Sequence, residues 1–334
     1  MRVRLVCCLA VIGFVATLTP GLAGASGERI LINSKRSGSW QIYRVDGDGT
    51  GLTRLTQGND DALLESVAPD ASRLIFYRGF HDYPNLTHYS MGLSGQDVTP
   101  FTTSPSATNV IYSPSGGGVA FSGRDNELYK ADSDGANPQP LTQPCNPYPY
   151  VPCNEFKRHA GRFSPNGRYL SMGFETEFGS GFRILGVPAG TQVAAREGKI
   201  ADCYASFLDG FSADSRSILD STLCGFGATR VYLDRLDGSA SRTLTPENRS
   251  GGVAEFLANG RILLEERRLN ENGRPVGRSE DFVVRADGSH RHRIRPRRLG
   301  RRGIYPYEDV SPSGALVLHT HYQLRPQGTT KSTT

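Results

Sequence analysis

Six times in this 334-residue chain a tight turn is followed at once by an apolar run. Clear copies are Ala68-Pro69-Asp70-Ala71, Ser113-Pro114-Ser115-Gly116, Ser164-Pro165-Asn166-Gly167 and Ser311-Pro312-Ser313-Gly314. Degraded copies stand at Ser212-Ala213-Asp214-Ser215 and Leu257-Ala258-Asn259-Gly260. Their starts are 45, 51, 48, 45 and 54 residues apart. A period of this size belongs to architectures in which a small unit repeats, because so short a unit buries its apolar face only by stacking on a neighbour.

After each turn comes a strand-like run, among them Arg73-Leu74-Ile75-Phe76-Tyr77, Gly118-Val119-Ala120-Phe121 and Arg168-Tyr169-Leu170-Ser171-Met172. Short apolar runs bounded by Pro, Gly, Asn and Asp read as strands, since those residues set the dihedrals that reverse the chain. Between successive turns lies a hairpin signal. Glu127-Leu128-Tyr129 leads through Asp134-Gly135 to Pro140-Leu141-Thr142, and Arg230-Val231-Tyr232 leads through Asp237-Gly238 to Thr243-Leu244-Thr245. Gly accepts positive φ without steric cost, which makes Asp-Gly between β-rich runs a strong hairpin mark. Each unit therefore supplies about four strands.

Four-stranded sheets stacked radially bury each other's faces and leave short, protected edges, so the expected fold is an all-β propeller of four-stranded antiparallel blades. No stretch after the first residues has the sustained helical period of a βαβ fold. The N-terminal piece (30–56) lacks the strand before the turn and the C-terminal piece (304–324) lacks the hairpin. Sharing one blade, the two would close a six-bladed ring by N- and C-terminal strands. Both carry a strand after the turn, so seven blades stay open.

The succession Ser-Pro-Asp/Asn-Gly, apolar strand, Ile-Tyr, Asp-Gly, Arg-Leu-Thr, best preserved at 42–56, 164–172 and 231–245, resembles the WD-like repeat of the TolB propeller family. The resemblance covers 28–324 and implies the fold; function has to be argued from a site. True TolB proteins carry an α/β domain ahead of the propeller, where this chain has a leader only, which sets it apart from their transport role.

Met1-Arg2-Val3-Arg4, an apolar run at 5–18 and the small residues up to Ala25 have the form of a secretory signal peptide, with cleavage after Ala25. Residues 1–25 are then leader, 28–324 propeller and 325–334 a polar tail, and the protein is exported, to periplasm or exterior. Cys7 and Cys8 leave with the leader. The remaining Cys145, Cys153, Cys203 and Cys224 are an even set in an exported chain, which favours two disulfides. Of three pairings the local one, Cys145–Cys153 with Cys203–Cys224, is preferred, since the first would pin the Pro/Tyr-rich loop it brackets.

The formal charge is +5 and falls to about +3 without Arg2 and Arg4. Its distribution says more: Arg291, Arg293, Arg295, Arg297, Arg298, Arg301 and Arg302 lie in one loop region. Guanidinium offers a planar donor fork to phosphate or carboxylate, so these residues form the candidate anion-facing patch. For an exported protein nucleic acid is not the expected partner; wall polymers, anionic head groups or an acidic protein are. A solvated basic connection is the plainer reading.

Gly-x-Ser-x-Gly, His-Glu-x-x-His and the P-loop are absent. His319 and His321 alternate, so one face of a strand could present both to a metal. His290 and His292 repeat the spacing, and His81, His88 and His159 are scattered. Some TolB-like propellers resemble oligogalacturonate lyases, with metal-binding histidines in the channel, but their acidic and glutamine partners find no match here. Asp46-Gly47-Asp48-Gly49-Thr50-Gly51 imitates half a calcium loop but falls where each repeat has its hairpin turn, with Gln57 at the twelfth position. The Tyr77–Pro84 segment mixes aromatic, Arg and His residues as protein-binding loops do. Asn85-Leu86-Thr87 and Asn248-Arg249-Ser250 fit the glycosylation sequon. The expected role is a monomeric, non-catalytic platform for a protein or an anionic envelope polymer, with no cofactor. The alternative is a metal-assisted polysaccharide lyase or hydrolase working in the channel.

Overall fold

A computed structural model describes residues 3–6, 29–46, 50–79, 86–101, 107–143, 155–176, 179–187, 189–197, 203–225, 227–257, 259–294, 308–310 and 317–319. Every element in them is a strand. Sheet one holds β1 (Val3–Val6), β2 (Arg29–Ser34), β3 (Gln41–Asp46) and β4 (Thr53–Arg54). Sheet two holds β5 (Ala62–Val67), β6 (Arg73–Arg78), β7 (Thr87–Gly92) and β8 (Thr99–Pro100). Sheet three holds β9 (Ala107–Tyr112), β10 (Gly118–Gly123), β11 (Leu128–Asp132) and β12 (Gln139–Pro140). Sheet four comprises β13 (Glu155–Phe163), β14 (Tyr169–Thr176), β15 (Gly179–Gly186) and β16 (Thr191–Glu197). Sheet five comprises β17 (Cys203–Phe211), β18 (Ser217–Cys224), β19 (Ala228–Arg235) and β20 (Ser241–Thr243), and a parallel bridge between Ser180 and Ala205 ties it to sheet four. Sheet six holds β21 (Arg249–Phe256), β22 (Ile262–Leu269), β23 (Pro275–Val284) and β24 (His292–Ile294), and β25 (Glu308–Val310) pairs with β26 (Val317–His319). Sheets two to six are antiparallel meanders, as the repeat predicts.

The turn phrase works the same way in its five described copies; the sixth, at 311–314, lies outside the described residues. The fourth residue donates its amide to the carbonyl of the first in Ala71→Ala68, Gly116→Ser113, Gly167→Ser164, Ser215→Ser212 and Gly260→Leu257, at 2.8–2.9 Å. That fourth residue has φ of 58°, 73°, 70°, 58° and 75° in chain order, the left-handed conformation that Gly adopts freely and Ala71 and Ser215 adopt at a cost. The Leu-Thr phrase closes the outer edges of sheets one, three and five. Leu55, Leu141 and Leu244 donate to the carbonyls of Ile42, Leu128 and Val231. In return those three residues donate their amides to Thr56, Thr142 and Thr245 Oγ1 at 3.0, 2.9 and 3.0 Å. Outer strands are therefore short but doubly bonded, and Pro100 and Pro140 blunt two of them against further pairing.

Five apolar clusters lie between successive sheets, and a small one, Leu263 with Val283, lies within sheet six. Leu31, Leu64, Leu74 and Phe76 join sheets one and two. Ile75, Val110 and Phe121 join two and three, and Leu128, Leu170 and Met172 join three and four. Phe182, Ile184 and Ile218 join four and five, and Leu219, Leu264 and Phe282 join five and six. The first strands of neighbouring sheets approach one another, β1 to β5, β5 to β9, β9 to β13 and β17 to β21, which makes them the inner strands.

The expected closure of the ring by the two terminal pieces falls largely outside the described residues. The described strands do not trace it: among them β25 and β26 pair with each other, and β1, from within the expected leader, runs parallel along β2. An unpaired inner edge of β2 exposes a row of backbone donors and acceptors, and a short extended segment satisfies it.

Candidate functional site

Two places gather chemistry, and the first contains the only candidate arginines within the described residues. Arg291 and Arg293 lie at the start of β24 and face two glutamates of the neighbouring strands. Arg291 Nη1 is 2.8 Å from Glu266 Oε2, and Arg293 Nη1 is 3.0 Å from Glu280 Oε1. Arg249, from β21, meets Glu280 at 2.7 Å and Glu266 at 3.7 Å. The Arg249 and Arg291 guanidinium groups lie 4.7 and 5.1 Å from the Phe282 ring centroid, and Arg291 Nη2 also donates to the Leu244 carbonyl of sheet five at 2.7 Å. Stacking on an aromatic face suits guanidinium better than ammonium, so Lys would not replace these residues.

Burial pushes the Glu266 carboxyl above its ordinary range, against the pull of Arg291 and Arg249. The bond from Arg249 holds Glu280 below its range, helped by the charges of Arg293 and Arg268. Arg268 stands opposite Arg249 in the β21–β22 register and is exposed. Four guanidinium groups thus surround two carboxylates, with Arg268 and half-exposed Arg293 turned to solvent. The stretch 249–302 holds fourteen arginines against seven acids, a formal +7 in a chain of +5. Sequence reasoning found the arginines of 291–302 and missed Arg249 and Arg268, which only strand pairing brings beside them.

The second place is a cleft of about 550 Å³ between sheets four and five, where their shared apolar core gives way around the Ser180–Ala205 bridge. His159, Arg162, Glu175, Ser206 and Phe207 line it. Each inner strand from β5 to β21 carries a bulge opposite its partner: at Glu65, at Asn109–Val110, at Gly161–Arg162, at Asp209 and at 252–253. A bulge adds one residue and re-aims its side chain without shifting the flanking register. In β13 it presents Arg162, exposed, while Ser171 Oγ accepts the Arg162 amide at 2.6 Å. Gly161 is needed there, since a Cβ would lie 2.3 Å from Ser171 Oγ. In β17 the bulge presents Asp209, whose Oδ2 accepts a 2.5 Å bond from Ser221 Oγ.

Burial raises the Asp209 carboxyl to about 7, against the Ser221 bond and the Arg162 charge. Burial also lowers the His159 imidazole, which leaves that ring neutral at pH 7 although Glu175 opposes the shift. Gly173 makes room for the ring: a Cβ on it would sit 2.1 Å from His159 Nε2. Lys157 pairs with Glu175 at 3.0 Å on the exposed rim. Arg162, Asp209 and Phe207 were not singled out in the sequence. The readable signal was a Gly beside a charged residue within a strand run, Gly161-Arg162 and Asp209-Gly210, a bulge mark.

Cys203 and Cys224 are bonded to each other across the register of β17 and β18, beside the cleft. Buried His88 pairs with Glu65 at 2.8 Å. The backbone of His319 lies opposite Glu308 in the β25–β26 pair. Asp46 ends β3 and bonds through its amide to the Thr50 carbonyl at 2.9 Å, where the hairpin turn was expected. Arg295, Arg297, Arg298, Arg301, Arg302, Cys145, Cys153, His81 and His321 lie outside the described residues.

No protein-family model and no curated relative matches this chain. Among solved structures, an oligogalacturonate lyase from Vibrio parahaemolyticus aligns with a TM-score of 0.60 at 12% identity, over 85% of this chain and 78% of that one. A puromycin hydrolase aligns at 0.53 with 13% identity, over 78% and 44%. TolB from Acinetobacter baumannii aligns at 0.48 with 17% identity, over 75% and 58%, so this chain spans little more than half of that protein. Likeness at such identities concerns the fold. With the radial sheets above, it defines the chain as a β-propeller protein.

Proposed function

We propose that this chain is an exported, non-catalytic binding platform, and that the arginine-rich edge of sheet six holds its anionic partner, an acidic protein surface or an envelope polymer. The observation that carries this reading is the surplus of guanidinium around Glu266 and Glu280: the two carboxylates hold Arg249 and Arg291 in place, and Arg268 and Arg293 reach solvent. Internal pairing of this kind fixes the donor forks in advance, so less side-chain entropy is lost when an outside anion docks. Arg295, Arg297, Arg298, Arg301 and Arg302 follow directly in the chain and would widen the patch.

The test is retention of the purified chain on immobilised polyglutamate and on polyphosphate across a salt gradient. Arg268→Ala/Arg293→Ala should elute at clearly lower salt than wild type, with folding unchanged by circular dichroism. Equal elution of the two proteins would sink the reading. A second reading, polysaccharide chemistry inside the ring, draws on Asp209 beside Arg162; turnover of an acidic polysaccharide that disappears in Asp209→Asn would favour it.

Export implies that residues 1–25 are removed. That step would free the β2 edge now lined by β1, and the strands near the C-terminus would then close a six-bladed ring. Intact mass of protein recovered from the cell envelope checks the first part, and a mass that retains residues 1–25 would refute it.

A further inference from the structure

We propose that the cleft between sheets four and five is a second ligand site, which takes a carboxylate on Arg162 and the flat ring attached to that carboxylate on Phe207. Arg162 is presented by a bulge, is exposed, and makes no hydrogen bond or ion pair through its guanidinium among the described residues. Phe207 stands on β17 across the same cleft with 52% of its surface in solvent, although a large aromatic side chain on an inner strand would ordinarily be packed. An exposed aromatic beside a free guanidinium, in a concave site of about 550 Å³, has the size and make-up of a small-molecule pocket. Ser206 and neutral His159 add hydrogen-bonding groups on either side without adding charge.

Asp209 sets when the site is open. The Arg162 charge acts on this carboxyl from the bulge of the neighbouring sheet, so an ionised Asp209 competes with the ligand for that guanidinium. The groups acting on Asp209 are Ser221 from β18 and Arg162 from β13; Ser221 Oγ also reaches the Gly252 carbonyl of β21 at 3.4 Å, and the Glu265 carboxyl of β22 lies beside Gly252. Glu175 is engaged by Lys157 on the rim. With Asp209 protonated the cleft has a net positive charge from Arg162; with Asp209 ionised that charge is cancelled. Ligand affinity therefore falls as pH rises through 7.

The experiment is isothermal titration of the whole mature chain with benzoate at pH 6 and pH 8, with acetate (carboxylate alone) and benzyl alcohol (ring alone) as controls. Benzoate should bind about five- to tenfold more tightly at pH 6, the range set by one group titrating near 7. Both controls should bind more weakly than benzoate. Arg162→Gln should abolish benzoate binding at both pH values. Phe207→Ser should weaken benzoate and leave acetate unchanged, and Asp209→Asn should bind at pH 8 as wild type does at pH 6. Both Arg162 and Phe207 are exposed, so their variants keep the wild-type melting temperature. Undetectable benzoate binding by wild type at pH 6, or undiminished binding by Arg162→Gln, overturns the site. Equal wild-type affinity at the two pH values overturns the part assigned to Asp209.

Discussion

At the scale of single residues, strain and burial leave marks that can be measured. Ala71 and Ser215 hold the same left-handed turn position at φ 58°, but only Ser215 is compensated, by accepting the Asn166 amide on Oγ at 3.1 Å. Ala71→Gly should therefore stabilise the protein by about 0.5–1 kcal/mol in urea denaturation, while Ser215→Gly should be close to neutral. Asp209 gives a pH signature. Its folded-state value, about 7, lies above the ordinary 3.8, so between these limits the folded state binds more protons than the unfolded one. Stability from this group is full below about pH 4 and is lost as pH climbs through 7, by at most about 4 kcal/mol. Asp209→Asn should flatten that decline and melt higher than wild type at pH 8; an unchanged slope between pH 4 and 8 would contradict the assignment. None of this was legible in the sequence, since a buried acid and an exposed one are spelled alike until a bulge decides where the carboxyl points.

At the scale of the element, the repeat was legible almost in full. The strands after the turns at 68, 113, 164 and 257 appear as β6, β10, β14 and β22, because Pro, Gly and Asn fix the reversals and the apolar runs can be buried only between sheets. The purpose of the Leu-Thr phrase was not legible. Its threonine hydroxyl accepts an inner amide, and the same phrase supports the next unit. Gly190 stands at φ 67°, and a Cβ there would be 1.9 Å from the Leu141 carbonyl oxygen; Gly95 approaches the Leu55 carbonyl in the same way. The turn glycine is thus the spacer between blades as well as the hinge of a hairpin. Gly190→Ala should cost 2 kcal/mol or more, roughly, by adding a clash to backbone strain. Thr245→Val should cost about 1–3 kcal/mol, because it leaves the buried Val231 amide unpaired. Urea melts of the two variants check both, and a loss under ~0.5 kcal/mol in either would show that the contact is dispensable.

At the scale of the whole molecule, the sheets form a series of nearest-neighbour interfaces, and a staple in one sheet should be felt mainly there. Reduction of Cys203–Cys224, which closes a separation of 21 residues, should lower stability by about 3 kcal/mol, and amide exchange should rise first in β17 and β18. Uniform acceleration across all sheets would instead mean that the ring melts as one unit. The arginine patch was half legible: the density at 291–302 stands out in one dimension, whereas Arg249 and Arg268 join it only through sheet six. The cleft was not legible, because it is built from two repeats and belongs to neither. The five inner-strand bulges give the molecule one further property. Glu65, Val110, Arg162, Asp209 and Ala254 lie at or next to these insertions, in five successive blades, and neighbouring insertions meet: Glu65 Oε1 accepts the Val110 amide at 3.0 Å, and the Arg162 charge acts on Asp209. Such a row behaves like meshed gears, and a substitution at one insertion is felt at the next, so new specificities are reached by changing neighbouring positions together.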